Sequence, residues 1–94
     1  MDNRKEYIDK VANQLKKWDK EIDKYEEKIT HVNEDIKQKY REEISKLKDR
    51  KDKMQDKLVE LRQSSDDAWQ ELKAGIEKGW DELTTAFKNA RSKL

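Results

Sequence analysis

The fold is decided by residues 8–36, which read IDKVANQLKKWDKEIDKYEEKITHVNEDI. Apolar side chains recur there at alternating spacings of three and four residues: Ile8, Val11, Leu15, Trp18, Ile22, Tyr25, Ile29, Val32 and Ile36. This is the a/d pattern of a heptad repeat, and it predicts a long helix with one narrow apolar seam. Because such a seam can be buried only against another helix, the pattern predicts an all-α coiled coil or helical bundle.

The seam continues after Ile36 with one irregularity. Two steps of four residues lead to Tyr40 and then to Ile44, and such an insertion unwinds a supercoil locally without ending the helix. Since residues 1–62 contain no Gly or Pro, we predict one long coiled-coil helix over this range. Lys51 occupies an a position, where it either fixes the register or extends its ammonium group into water. The further seam residues are Ile44, Leu47, Met54, Leu58 and Leu61.

The one clear break is predicted at residues 63–67, QSSDD, where Ser64 or Ser65 can cap the next helix. Residues 68–94 are predicted to form an amphipathic helix with an 11-residue repeat, a period that keeps its apolar stripe nearly straight. The stripe consists of Trp69, Leu72, Ile76, Trp80, Leu83 and Phe87. Gly75 and Gly79 lie beside it, and we expect them to let a neighbouring backbone approach closely.

Charges beside the seam predict which stretches pair. In the first stretch, heptad positions e and g carry four acids and one base: Asp19, Glu21, Glu26, Asp35 and Lys28. In the second stretch they carry four bases and one acid: Lys48, Arg50, Lys57, Arg62 and Glu43. We therefore expect the two stretches to pair antiparallel.

Two arrangements satisfy this pairing. Long helices from two copies can form an antiparallel homodimer or a higher oligomer, with residues 36–44 near the two-fold axis. Alternatively, one chain can fold back as a hairpin near residues 33–40, where Asn33 is the weak turn candidate, and form a monomeric three-helix bundle. The lack of turn residues favours the dimer, and in both arrangements the third helix folds back onto the bundle.

The composition excludes several classes of function. Among 94 residues, 48% are charged, yet the net charge is only +1, so general nucleic-acid binding is not expected. There is no Cys, and no apolar stretch is long enough for a membrane span. His31 is the only histidine and has no second His or Cys beside it, so we expect a solvated helix surface there rather than a metal site. The sequence predicts a cytoplasmic, non-enzymatic structural or interaction protein, without cofactor or metal, whose partner is itself or another helical protein.

The third helix allows an alternative function. Two Trp residues on a straight apolar stripe also suit a helix that lies in a lipid interface, where Trp is favoured. Its polar face mixes acids and bases, whereas helices that bind anionic membranes are usually basic. Packing in the bundle is therefore the first expectation, and peripheral lipid binding through this helix is the alternative.

Nearly the whole chain resembles a family of small, poorly characterised bacterial coiled-coil proteins linked to stress responses. The resemblance is carried by KEYIDK at 5–10 and QLKKWD at 14–19, and near the end by DAWQELKAG at 67–75, GWDEL at 79–83 and ARSK at 90–93. It implies a soluble bacterial protein without enzymatic activity, such as a stress-related scaffold or protective protein. The family implies no defined ligand and no site residues.

Overall fold

The chain folds into three helices of nearly equal length. The computed structural model describes residues 3–93, in which α1 spans Asn3–Ile29, α2 spans Glu34–Arg62 and α3 spans Asp66–Lys93. Each helix has an acidic side chain in its first turn and a basic side chain in its last turn. This arrangement complements the helix dipole at both ends. The predicted all-α class is confirmed.

The helices run up, down and up along a bundle of 51 × 19 × 18 Å. The central helix α2 packs against both neighbours, whereas no Cα atom of α1 lies within 8 Å of a Cα atom of α3 in the described part of the chain. Large side chains fill the wider gap between α1 and α3.

One apolar cluster occupies the centre of the bundle, and no charged or polar residue among 3–93 is buried with it. The predicted seam is buried over most of its length. Ile8 and Val32 are only half-buried, and Ile36 is 42% exposed. The buried residues are Val11, Leu15, Trp18, Ile22, Tyr25, Ile29, Ile44, Leu47, Met54, Leu58, Leu61, Ile76, Leu83, Phe87 and Ala90.

The expectation of an unbroken helix over residues 1–62 does not hold for the single chain, because the helix ends at Ile29 and the chain turns back. The turn satisfies the last carbonyl groups of α1 with short-range bonds: the Thr30 amide and hydroxyl both donate to the Glu27 carbonyl, at 3.2 and 2.7 Å. Asn33 has extended backbone angles, and its carbonyl accepts the first amides of α2. Folding back buries the seam of α1 on that of α2, which is the hairpin alternative.

The second connection is shorter than the predicted corner at 63–67, since α3 already begins at Asp66. Of the two candidate caps, Ser65 has the capping position: its hydroxyl accepts the Ala68 amide at 3.3 Å. The Ser64 hydroxyl instead donates to the Leu61 carbonyl at 2.8 Å.

The two glycines do not receive a neighbouring backbone, which corrects the expectation from the sequence. A Cβ atom built on Gly75 would meet nothing within 4 Å. A Cβ atom on Gly79 would lie 3.1 Å from the Cε atom of Met54, a side-chain methyl group of α2. Only Gly79 therefore has a packing role, and its neighbour is a flexible side chain.

Candidate functional site

A row of aromatic rings packs between α3 and α1. Tyr7 lies against Trp69 with ring centres 6.0 Å apart and planes at 71°, and Trp18 lies against Trp80 at 5.5 Å and 64°. Such edge-to-face pairs contribute about 0.5–1.5 kcal/mol each beyond the area they bury. The two rings on each helix are 11 residues apart, so the repeat in α3 meets the same spacing in α1. The repeat in α3 is evident from the sequence, whereas the matching spacing of Tyr7 and Trp18 gains meaning only when α1 and α3 pack together.

Phe87 extends this row into the core. Its ring stacks on Trp18 at 5.5 Å with an interplanar angle of 6°, and lies 6.4 Å from the ring of Tyr25. The predicted apolar stripe of α3 thus faces the other helices. Within it, Ile76, Leu83 and Phe87 are buried, and Trp69, Leu72 and Trp80 are half-buried.

At one end of the bundle, Arg4 holds the corner between α2 and α3. Its guanidinium group lies 4.5 Å from the ring centre of Trp69 and 3.0 Å from the Asp66 carboxylate. It also donates to the carbonyl oxygens of Ser64 and Ser65, at 3.3 and 3.2 Å. The first turn of α1 therefore fixes the point at which α3 begins.

At the other end, α3 is tied to both neighbours. Arg91 binds the two carboxylate oxygens of Glu21 in α1, at 2.8 and 3.2 Å. Lys93 contacts Glu43 in α2 at 3.1 Å, and its carbonyl accepts the Tyr40 hydroxyl at 2.7 Å. Two of the charges that flank the predicted seams, Glu21 and Glu43, are thus paired with α3.

Two ion pairs join α1 and α2. Glu26 pairs with Lys48, as the flanking charges predicted. The ammonium group of Lys51 lies 2.7 Å from Asp19 and 3.0 Å from Asp52, with 13% of its side chain exposed. Burial lowers the pKa of Lys51, but hydrogen bonds to the two carboxylates and their charges outweigh burial and raise that pKa overall. The ammonium group of Lys51 therefore binds carboxylates beside the seam rather than extending alone into water, and its pairing with Asp19 joins α2 to α1.

An open groove of about 410 Å³ runs between α1 and α3, and we call it the basic groove. Five basic side chains and one carboxylate line it together with a tyrosine: Lys17, Lys20, Lys24, Lys28, Arg91, Glu21 and Tyr25. Among residues 3–93, no carboxylate lies within 4.0 Å of the four lysine ammonium groups. This row of lysines was not expected from the sequence, in which lysines interspersed with acids are typical of a solvated helix surface.

Tyr25 forms the floor of the basic groove. It is only 4% exposed, and its hydroxyl is the single buried side-chain polar atom without a hydrogen-bond partner in residues 3–93. Burial raises the pKa of this hydroxyl, and the charge of Glu21 raises it further, while Arg91 opposes the change. Buried polar groups in proteins almost always have a partner, so an unpaired hydroxyl here is an exception that needs an explanation.

The other candidate position from the sequence, His31, shows no features of a metal site. His31 lies exposed in the turn after α1 rather than on a helix surface. Among the described residues, no three His, Cys, Asp or Glu side chains are grouped as a metal ion would require.

None of the helices within residues 3–93 combines the length and the apolar character needed to cross a lipid bilayer. Comparison of the chain with protein-family models, with curated proteins and with solved structures found no match.

Proposed function

We propose that the protein is a non-enzymatic structural and interaction protein that self-associates by pairing its helices with those of a second copy. The position of Ile36 carries this proposal. Glu26 faces Lys48 and Asp19 faces Lys51, so the midpoint of each pair lies within one residue of Ile36. If two copies paired antiparallel through the same contacts, Ile36 of each copy would lie at the two-fold axis.

The exposure of Ile36 supports this arrangement. Ile36 is 42% exposed in the single chain although it continues the heptad seam. At the axis of an antiparallel dimer, the two Ile36 side chains would cover each other and extend the seam through the centre. The second copy thereby supplies the cover that the hairpin does not provide.

The turn between α1 and α2 is compatible with exchange. Residues 30–33 contain neither Gly nor Pro, and no residue among 3–93 has a positive φ angle. The same residues could therefore continue as helix in a dimer in which α1 of one copy packs on α2 of the other. Exchange of identical elements between copies preserves the contacts of the closed form and requires only that the hinge open.

The test is the mass in solution as a function of protein concentration, measured by light scattering, for two matched variants. Ile36 and Val59 are the large apolar residues that the described chain exposes most, at 42% and 46%. Ile36→Lys should weaken the dimer at least about tenfold, because two like charges would meet at the axis. Val59→Lys, a control on the same helix, should change it less than about twofold.

A wild-type mass of twice 11.4 kDa that falls in Ile36→Lys alone would support the proposal. A wild-type protein that stays monomeric at the highest soluble concentration would reject it. Equal loss of the dimer in both variants would show that the interface lies elsewhere. A role of such a scaffold in a stress response rests on the family resemblance alone.

Peripheral lipid binding is the second candidate, and the half-buried rings of Trp69 and Trp80 favour it. Both rings pack edge-to-face on α1, so α3 would have to leave α1 before they could enter a lipid interface. Binding to vesicles of anionic lipid, lost in Trp69→Ser/Trp80→Ser with helicity retained, would favour this candidate over self-association.

A further inference from the structure

We propose that the basic groove binds a small soluble anion built from several linked phosphoryl groups, with one such ligand per groove. Nothing in this proposal depends on whether the protein is a monomer or a dimer. It rests on a row of lysines without ion-pair partners, on a buried hydroxyl beneath them that makes no well-formed hydrogen bond, and on the carboxylates at one end of the groove.

The lysine row is linear. Lys17, Lys20, Lys24 and Lys28 follow one another at steps of three and four residues, so they lie on one face of α1 over about 16 Å. Lysine ammonium groups are effective point charges for phosphate, and Arg91 adds a planar guanidinium group from α3. A linear row of cations fits a linear row of anions.

The lysines of this row are not neutralised by their own helix. Asp23 lies three residues from Lys20 and Glu27 three residues from Lys24, yet neither carboxylate lies within 4.0 Å of an ammonium group of the row. The one carboxylate that lines the groove, Glu21, is used by Arg91. The positive charges of the four lysines are therefore available to an anion from solution.

The floor of the groove holds a buried hydroxyl beside an ion pair. The Tyr25 hydroxyl makes no well-formed hydrogen bond, although Glu21 and Arg91 lie close enough for their charges and their weak hydrogen bonding to shift its pKa. An anion that binds the Arg91 guanidinium competes with Glu21 for it and brings an oxygen acceptor to the Tyr25 hydroxyl. The unpaired hydroxyl is then explained as a ligand contact.

Carboxylates lie at one end of the groove. Towards the start of α1, the space between α1 and α3 is lined by Tyr7 and Lys10 of α1 and by Glu77, Trp80 and Asp81 of α3, so two carboxylates accompany one lysine there. A long nucleic acid that followed the lysine row in this direction would meet a net negative charge. The geometry therefore favours a short chain of phosphoryl groups over an extended polyanion.

The test is calorimetric titration with inorganic tripolyphosphate at low salt. Lys20→Gln/Lys24→Gln should lower the affinity at least about tenfold, because it removes two contacts to the anion. The matched control is Lys39→Gln/Lys46→Gln, which removes the same charge from exposed positions of α2, and its affinity should change less than about threefold. Far-ultraviolet circular dichroism confirms that both variants fold.

Two further variants test the chemistry of the floor. Glu21→Gln should raise the affinity severalfold, because it removes the charge that competes for Arg91. Tyr25→Phe should lower the affinity while the protein stays folded, because only the hydroxyl is lost. If Glu21→Gln weakens binding, or Tyr25→Phe leaves it unchanged, the assignment of this floor is wrong.

Three outcomes would overturn the proposal as a whole. The control pair could lose as much affinity as the groove pair, which would mean non-specific attraction to surface charge. Tripolyphosphate could fail to saturate at one ligand per chain. Vesicles of anionic lipid could bind through the same lysines when tripolyphosphate does not, which would assign the groove to a membrane surface.

Discussion

At the scale of single residues, the two glycines of α3 show how similar sequence contexts conceal different surroundings. Gly75 and Gly79 are four residues apart on the same helix, and each costs about 1 kcal/mol of helix stability relative to Ala. Gly75 faces open space, whereas Gly79 faces the methyl group of Met54. Only the second glycine has a packing reason to remain.

We therefore predict that Gly75→Ala stabilises the protein by about 1 kcal/mol. Gly79→Ala should stabilise it less or destabilise it, because the Cε atom of Met54, 3.1 Å from the new Cβ, would have to shift. Urea unfolding followed by circular dichroism measures both free energies. Equal stabilisation by the two substitutions would show that Met54 moves at no cost.

Lys51 and Tyr25 show what the sequence could and could not reveal about individual side chains. The heptad placed both at seam positions, and the structure confirms this for both. Their partners depend on the register between helices, which a seam pattern does not define. The pairing of Lys51 with Asp19 and the absence of a partner for the Tyr25 hydroxyl thus become visible only in three dimensions.

At the scale of elements, the seams and their antiparallel pairing were predictable, whereas the turn after Ile29 could be predicted only as an alternative. A narrow seam can be buried against any antiparallel partner, so the pattern indicates that pairing occurs but not whether it occurs within one chain. The hairpin remained the second choice, with Asn33 as its weak turn candidate, because the turn uses no Gly, no Pro and no positive φ angle. It is closed by short-range amide bonds and by the Thr30 hydroxyl, features that many helical sequences could provide.

The second connection allows a prediction at the same scale, since two adjacent serines have different roles. Ser65→Ala should destabilise the protein by about 1 kcal/mol, because it leaves the Ala68 amide at the start of α3 without its acceptor. Ser64→Ala should have a smaller effect, since the Leu61 carbonyl still accepts the amide of residue 64. Thermal unfolding of the two variants compares them directly, and the reverse order of stability would place the cap at Ser64.

At the scale of the whole molecule, the candidate site could not be predicted, because it exists only between helices that are distant in sequence. The lysine row belongs to α1 and Arg91 to the end of α3, 70 residues from its partner Glu21. They meet because α3 returns parallel to α1, at a distance determined by the aromatic rings. Along the sequence, the same lysines look like an ordinary solvated helix face.

The hinge at residues 30–33 determines the shape of the whole molecule, and small-angle X-ray scattering can measure that shape. The closed bundle is 51 Å long, whereas a continuous helix through the hinge would span about 90 Å. Thr30→Ala/Asn33→Ala should shift the protein towards the long dimer, because Ala favours helix by about 0.5 kcal/mol or more at each position. The maximum dimension from scattering should then approach the longer value as protein concentration rises.

The matched control inserts two glycines after His31 and so lengthens the hinge. This variant should keep the compact form at every concentration, because a longer hinge lets the chain close on itself more easily. The two variants therefore move a single equilibrium in opposite directions while leaving the α1–α2 contacts intact. If the alanine variant stays compact and monomeric at the highest concentration, the hinge does not open into a helix. The self-association proposed from Ile36 would then need a different geometry.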